Sequence, residues 1–163
     1  MFNIVLVEPQ IPPNTGTIGR ICVNLGASLH LIKPLGFDID DKAVKRAGLD
    51  YWHKLNLTVW ESFDEFLKAH PIGESSFMAT TKTDNLYFNA SFKKGDYILF
   101  GSETKGIEES VLLANPDRCI TIPMGGEGRS LNLGVSVGVV IYEALRQNYD
   151  GFSKITIQNT MEA

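Results

Sequence analysis

Three short stretches hold most of the residues able to do chemistry: EPQIPPNTGTIGR (8–20), FGSETKG (100–106) and IPMGGEGRSLN (122–132). Each leads from an apolar run toward a helix-like segment, and each mixes glycines with Asn, Glu, Ser, Thr or Arg. Glycine permits close backbone approach or positive φ, so such loops first suggest a phosphate cradle. The lysine and spacing of a phosphate loop are missing, however, and no dinucleotide fingerprint follows the first strand. Readings as an NAD, FAD or ATP protein are weakened accordingly. As plain turns these glycines need no function. Their weight is collective: with ATT (79–81) they open at one edge of a sheet, where backbone groups could cup an adenine and ribose.

Two groups of cations stand out. Arg20 lies opposite the helical stripe of Ile18, Ile21 and Leu25, so it points away from its own core. An arginine so placed is most often simply solvated. It could equally offer a guanidinium to a phosphate or to a neighbouring subunit. In DDKAVKRAGLDYWHK (40–54), Lys42, Lys45, Arg46 and Lys54 are interleaved with Tyr51 and Trp52. Cations among aromatics suit single-stranded nucleic acid, where bases stack and phosphates pair. An amphipathic helix with a wet charged face fits the same residues.

The elements that must position these loops alternate. Apolar runs at 3–9, 29–34, 57–60, 77–81, 97–103 and 119–124 read as strands. They show little polar alternation, as expected of parallel strands covered on both faces. Between them, helices are expected over Thr15 to Leu25, with Asn14 or Thr15 as cap, over SFDEFLKAH with a Ser62/Glu65 capping box, and over GIEESVLLAN. The stretch after Asn132 is rich in Val and alternates Gly/Ser with Val, which favours a strand. Its length and the cap at Asn132 favour a helix, with Gly134 and Gly138 leaving a groove for another backbone. We read it as helix. The fold class is therefore α/β: an open, mostly parallel sheet with helices on both faces.

At 163 residues the chain forms one domain, 1–163, able to bury about 70% of its unfolded surface, with a tail after Gly151 of no clear pattern. Cys22 and Cys119 are far apart and the three histidines are isolated, so no metal-ligand cluster is visible. No signal peptide and no membrane-spanning run are seen, and a cytoplasmic protein is expected. A net charge of −4 argues mildly against a polyanion partner, although a local basic face can still bind RNA.

NTGTIGR (14–20), FGSETKG (100–106) and IPMGGEGRSLNLGVSV (122–137) resemble, in order, the three motifs of the SPOUT class of RNA methyltransferases. The further stretch EPQIPPNTG…R…LGFDIDDKAVKRAGLDYW is similar to the minimal members, which methylate the wobble nucleotide of tRNA on its ribose 2′-oxygen. The resemblance runs from about Phe2 to Gly151. It implies a deep C-terminal trefoil knot, S-adenosylmethionine as methyl donor without a metal, and a homodimer acting on the tRNA anticodon stem-loop. Carried over by residue, the cofactor cup falls on Ala79, Gly101, Ile122 and Ser130, with Thr80, Met124 and Leu131 beside them. The catalytic set becomes Arg20, Glu103 and Asn132, accompanied by Asn14 and Ser130. Asn14, Lys42, Lys45, Arg46 and Tyr51 become RNA contacts. The resemblance also implies that Arg20 reaches the partner's site. The loop GGEG, and Gly134 in place of a serine, depart from the pattern. Other readings stay open: a non-catalytic RNA-binding module, a flavodoxin-like nucleotide binder, or 2′-O-methylation at another tRNA or rRNA site.

Overall fold

In a computed structural model, which describes residues 1–39 and 49–152, six strands form one sheet. They are β1 (Asn3–Val7), β2 (Ser28–Ile32), β3 (Asn56–Trp60), β4 (Ser76–Ala79), β5 (Tyr97–Phe100) and β6 (Cys119–Ile120). Their order is β3-β2-β1-β5-β4-β6 and every pairing is parallel. All six expected strands are present, and all but β3 are shorter at the C-terminal end than the apolar run that announces them.

Alternate side chains of each strand feed two separate cores. Ile4, Leu6, Leu29, Leu31, Ile98 and Phe100 face α1 (Pro12–Leu25) and α4 (Leu133–Gln147). Val5, Val7, Ile32, Met78 and Leu99 face α2 (Phe63–Ala69) and α3 (Glu109–Ala114). Both faces of the inner strands are thus dry, which is why those strands lack polar alternation, whereas edge strand β3 exposes Asn56, Thr58 and Val59.

The last segment is a helix despite its valines. Leu133, Gly134, Val137, Val140, Ile141, Ala144 and Leu145 are buried at three- and four-residue spacing, so tertiary burial overrides β-propensity. The groove left by Gly134 and Gly138 is filled from within the chain. A Cβ at Gly134 would sit 3.5 Å from Thr17, and one at Gly138 3.7 Å from Ile21, both ordinary contact distances, so side chains of α1 face these glycines without a close backbone approach. Gln147 and Asn148 then pin the end of α4 to the backbone of Ala90 and Phe92.

The start of α1 differs from expectation. The helix begins at Pro12, its N-cap Ile11 has no side-chain cap, and neither Asn14 nor Thr15 plays that part. Prolines at the first two positions have no N–H to orphan and their φ is already helical, so they open the helix rather than stiffen a loop. In α2, Ser62 caps Glu65 as expected, while the Glu65 carboxylate accepts from Glu61 N–H.

One buried group gives the fold a pH dependence. His30 Nδ1 accepts the indole N–H of Trp60 at 3.2 Å, leaving Nε2 buried without a partner among Phe66, His70 and Tyr97. Burial, with like charge on His70 second, lowers its pKa from 6.5 to about 4. Between those values the unfolded chain takes up a proton that the folded chain does not. Stability from this group is therefore full above pH 6.5 and declines toward pH 4, by up to about 3 kcal/mol. Urea midpoints measured from pH 7.5 to 4.5 should fall accordingly, and His30→Gln should flatten that fall.

Candidate active site

β4, β5 and β6 end side by side, and in an open parallel sheet this is where ligands collect. The segments leaving them enclose a cavity of about 640 Å³. Ala79, Thr80, Gly101, Ile122, Met124, Ser130 and Leu131 all line it, as do Asn14, Glu103 and Asn132. Three stretches separated by some ninety and thirty residues therefore share one wall. A second cavity, about 560 Å³, lies beside β6 and sets Glu74, Asp84 and Asp117 against Lys93 and Arg118. Its mixed charge points to no one ligand.

A directed chain of hydrogen bonds holds the first cavity's loops together. Glu103 Oε2 accepts Gln10 N–H (2.8 Å), and Oε1 accepts Ile11 N–H (3.1 Å) and Asn14 Nδ2 (3.0 Å). Asn14 Oδ1 in turn accepts Asn132 Nδ2 at 2.9 Å. Asn132 Oδ1 accepts Gly134 and Val135 N–H, capping α4 at 2.8 and 3.2 Å. Each amide has its donor and acceptor ends fixed by the next partner. Glu103, from a loop far away in sequence, thus holds the N–H groups of Gln10 and Ile11 just ahead of α1 and the Asn14 side chain in its first turn. Nothing in the sequence alone signals this, because two of its three donors are backbone N–H groups.

The FGSETKG turn folds back on itself. Ser102 Oγ accepts Lys105 N–H at 3.2 Å and Ser102 carbonyl accepts Gly106 N–H at 3.0 Å. A Cβ on Gly101 would overlap the backbone of Gly106 and Ile107, which cannot yield as a flexible side chain would. Gly101→Ala is expected to cost on the order of 3 kcal/mol and to deform the cavity, read as a lower melting point and weaker cofactor binding.

Arg20 is half-buried and does not line the cavity of its own chain. Its Nε is buried and has no hydrogen-bond partner. Lys42, Lys45 and Arg46 lie outside the described residues, as does the side chain of Tyr51, whose backbone belongs to a 3₁₀ helix, Leu49–Lys54. That helix stands against α1, since a Cβ on Gly19 would meet the Trp52 ring at 2.8 Å. The described end of the expected RNA-contact stretch, Leu49–Lys54, therefore adjoins the helix that carries Arg20.

The cavity suits a nucleoside with an amino-acid arm. Its volume lies in the ordinary range for small-molecule sites, roughly 300–1,000 Å³. Phe100, Leu112, Ile122 and Leu133 give it apolar walls, and Met124 and Leu131 remain 36% and 41% exposed at its mouth. Among the described residues no group of His, Cys, Asp and Glu could hold a metal ion.

Comparison with known proteins fits this geometry. The SpoU rRNA Methylase family pattern matches residues 1–142. The tRNA (cytidine(34)-2'-O)-methyltransferase of Escherichia coli strain K12 is 47% identical over 148 residues, 90% of this chain and 94% of its own length. A solved structure described as giving structural insights into the 2-OH methylation of C/U34 on tRNA superposes with a TM-score of 0.87 at 45% identity, covering 92% of this chain and 97% of that one. The SpoU methyltransferase AviRb from Streptomyces viridochromogenes, solved in complex with the cofactor AdoMet, gives a TM-score of 0.78 at 25% identity, covering 90% of this chain and 57% of that one.

Proposed function

This chain belongs to the SpoU rRNA methylase family, and on that premise we propose that it methylates the ribose 2′-oxygen of the wobble nucleotide, cytidine or modified uridine, at position 34 of tRNA. The observation that carries the reading is the single cavity lined by all three motif stretches. Relatives named for this reaction, matching over nine-tenths of both chains, support the substrate.

S-adenosylmethionine, when bound, supplies the electrophilic methyl group. Ala79, Gly101, Ile122 and Ser130 would hold it, and Met124 and Leu131 would exclude water at the mouth. The remaining task is alignment of the 2′-hydroxyl, and orientation of this kind can account for ~7–11 kcal/mol. Glu103 is unsuited to take the hydroxyl proton, because its two oxygens already accept three N–H groups. Its part is to hold Asn14 and, through it, Asn132. A guanidinium offers N–H donors and no acceptor, so the part of Arg20 is to grip an adjacent phosphate and stabilise charge developing on the oxygen.

Two further features belong to the same proposal. The protein acts as a homodimer in which Arg20 serves the partner's cavity. This is supported by its absence from its own cavity and by the unpartnered stripe of Val135, Tyr142 and Tyr149, each about half exposed on or just beyond α4. The deep trefoil knot is supported by the return of α4 onto α1 and by the Asn14–Asn132 bond. A tRNA substrate supports a cytoplasmic enzyme, and among the described residues no helix is long and apolar enough to cross a membrane.

The test is methylation of tRNA from cells lacking the protein, with the modified nucleotide mapped. A methyl on the ribose at position 34 is expected, and one on a base would overturn the assignment. Demethylated cofactor at about 100 times its Kd should add ~2.7 kcal/mol of stability, whereas ATP and flavin should add none.

A further inference from the structure

Four charged residues line the cavity: Lys82, Glu103, Lys105 and Arg129. Their electrostatic situations differ. Lys82 is paired with Glu109 at 3.2 Å. Glu103 is turned inward onto Gln10, Ile11 and Asn14. Lys105 and Arg129 have no acidic partner among the described residues, and both are exposed. A chain of net charge −4 therefore presents two unneutralised cations on the wall of one cavity. The sulfonium centre of the donor is itself cationic and gives no reason for them there, and the donor's one carboxylate is already balanced by its own ammonium group. A second anion gives that reason.

Resting on the function proposed above, we propose that Lys105 and Arg129 form a phosphate clamp, a site on the donor cavity itself for an RNA backbone phosphate next to the reactive ribose. They come from the second and third cavity loops, so the clamp spans the turn FGSETKG and the loop leading to α4. The bound ribose is then held within the subunit that binds the methyl donor. Contacts made by the 42–54 segment would act in addition. Lysine provides a point charge here and arginine a planar fork, which fits one phosphate approached from two sides.

The experiment measures tRNA affinity against salt for wild type, Lys105→Ala, Arg129→Ala and Lys82→Ala, with demethylated-cofactor affinity determined by calorimetry on the same proteins. Lys105→Ala and Arg129→Ala should each reduce the slope of log affinity against log salt, by part of the about 0.7–0.9 that their one shared phosphate contributes, and raise KM for tRNA. Cofactor affinity should stay at the wild-type value. Lys82→Ala should leave the slope unchanged, since its charge is already matched. Unchanged slopes in the first two variants would overturn the clamp, as would a slope lost equally in Lys82→Ala. Weakened cofactor binding with unchanged slopes would make these cations holders of the donor's carboxylate instead. Failure of wild type to bind or methylate tRNA would refute the broader function and is read separately from all of these.

Discussion

Arg20→Ala is expected to lower methyl transfer at saturating tRNA by about 10²–10³-fold, the usual effect of removing one donor aimed at developing oxyanion charge. Its melting point and its affinity for demethylated cofactor should stay near wild type. The reason is positional: Arg20 is absent from its own chain's cavity and its Nε bonds nothing there. Arg20→Lys keeps the charge but loses the fork, so a wild-type rate in that variant would remove bidentate geometry from the mechanism. Subunit mixing tests the trans arrangement. Arg20→Ala chains exchanged with chains carrying Leu131→Arg, a change at the cavity mouth, should recover activity that neither parent shows. Mixed dimers as inactive as both parents would place Arg20 in cis.

Glu103→Gln is expected to behave far worse than a like-shaped substitution suggests. The carboxylate accepts three N–H groups through two oxygens, whereas the amide offers one oxygen and turns an NH₂ toward donors. Leaving one or two of those donors unmatched costs about 1–3 kcal/mol each, which lowers the melting point by several degrees in a chain of this size. Because Asn14 and Asn132 take their orientation from Glu103, activity should fall by at least 10-fold in the same variant. Glu103→Asp, which keeps two oxygens on a shorter arm, should regain part of both losses. The discriminating measurement is the pH profile of the residual rate. A positioning residue lowers the rate at every pH and leaves the shape alone, whereas a general base removes one limb. Loss of a limb without loss of stability would return Glu103 to the proton transfer.

The sheet was legible in the sequence because burial on both faces leaves uninterrupted apolar runs, such as those of β1 and β5. Their C-terminal limits were not. β6 is announced by CITIPM but pairs only at Cys119 and Ile120, because its neighbour β4 ends at Ala79 and both chains then turn into the cavity walls. The cavity residues were legible as motif matches, and the structure brings all of the cup residues together. Arg20 stands apart from them for the reason argued above. The start of α1 was misplaced because Pro12 and Pro13 open the helix ahead of Asn14 and Thr15, the polar residues that would otherwise cap it. Gly134 and Gly138 suggested a groove for another backbone, whereas they face side chains of α1 in the same chain at ordinary contact distance. The stretch with Lys42, Lys45 and Arg46 lies outside the described residues, so its part rests on the sequence.

The Asn14–Glu103–Asn132 chain also governs when the protein can begin to work. Its links join residues 89 and 118 positions apart, across a sheet whose strands all need crossover connections. Closing such distant contacts is slow and falls late in folding. Until Asn132 is in place, Asn14 Oδ1 lacks its donor and the cavity lacks its third wall, so the pocket is among the last parts of the fold to be completed.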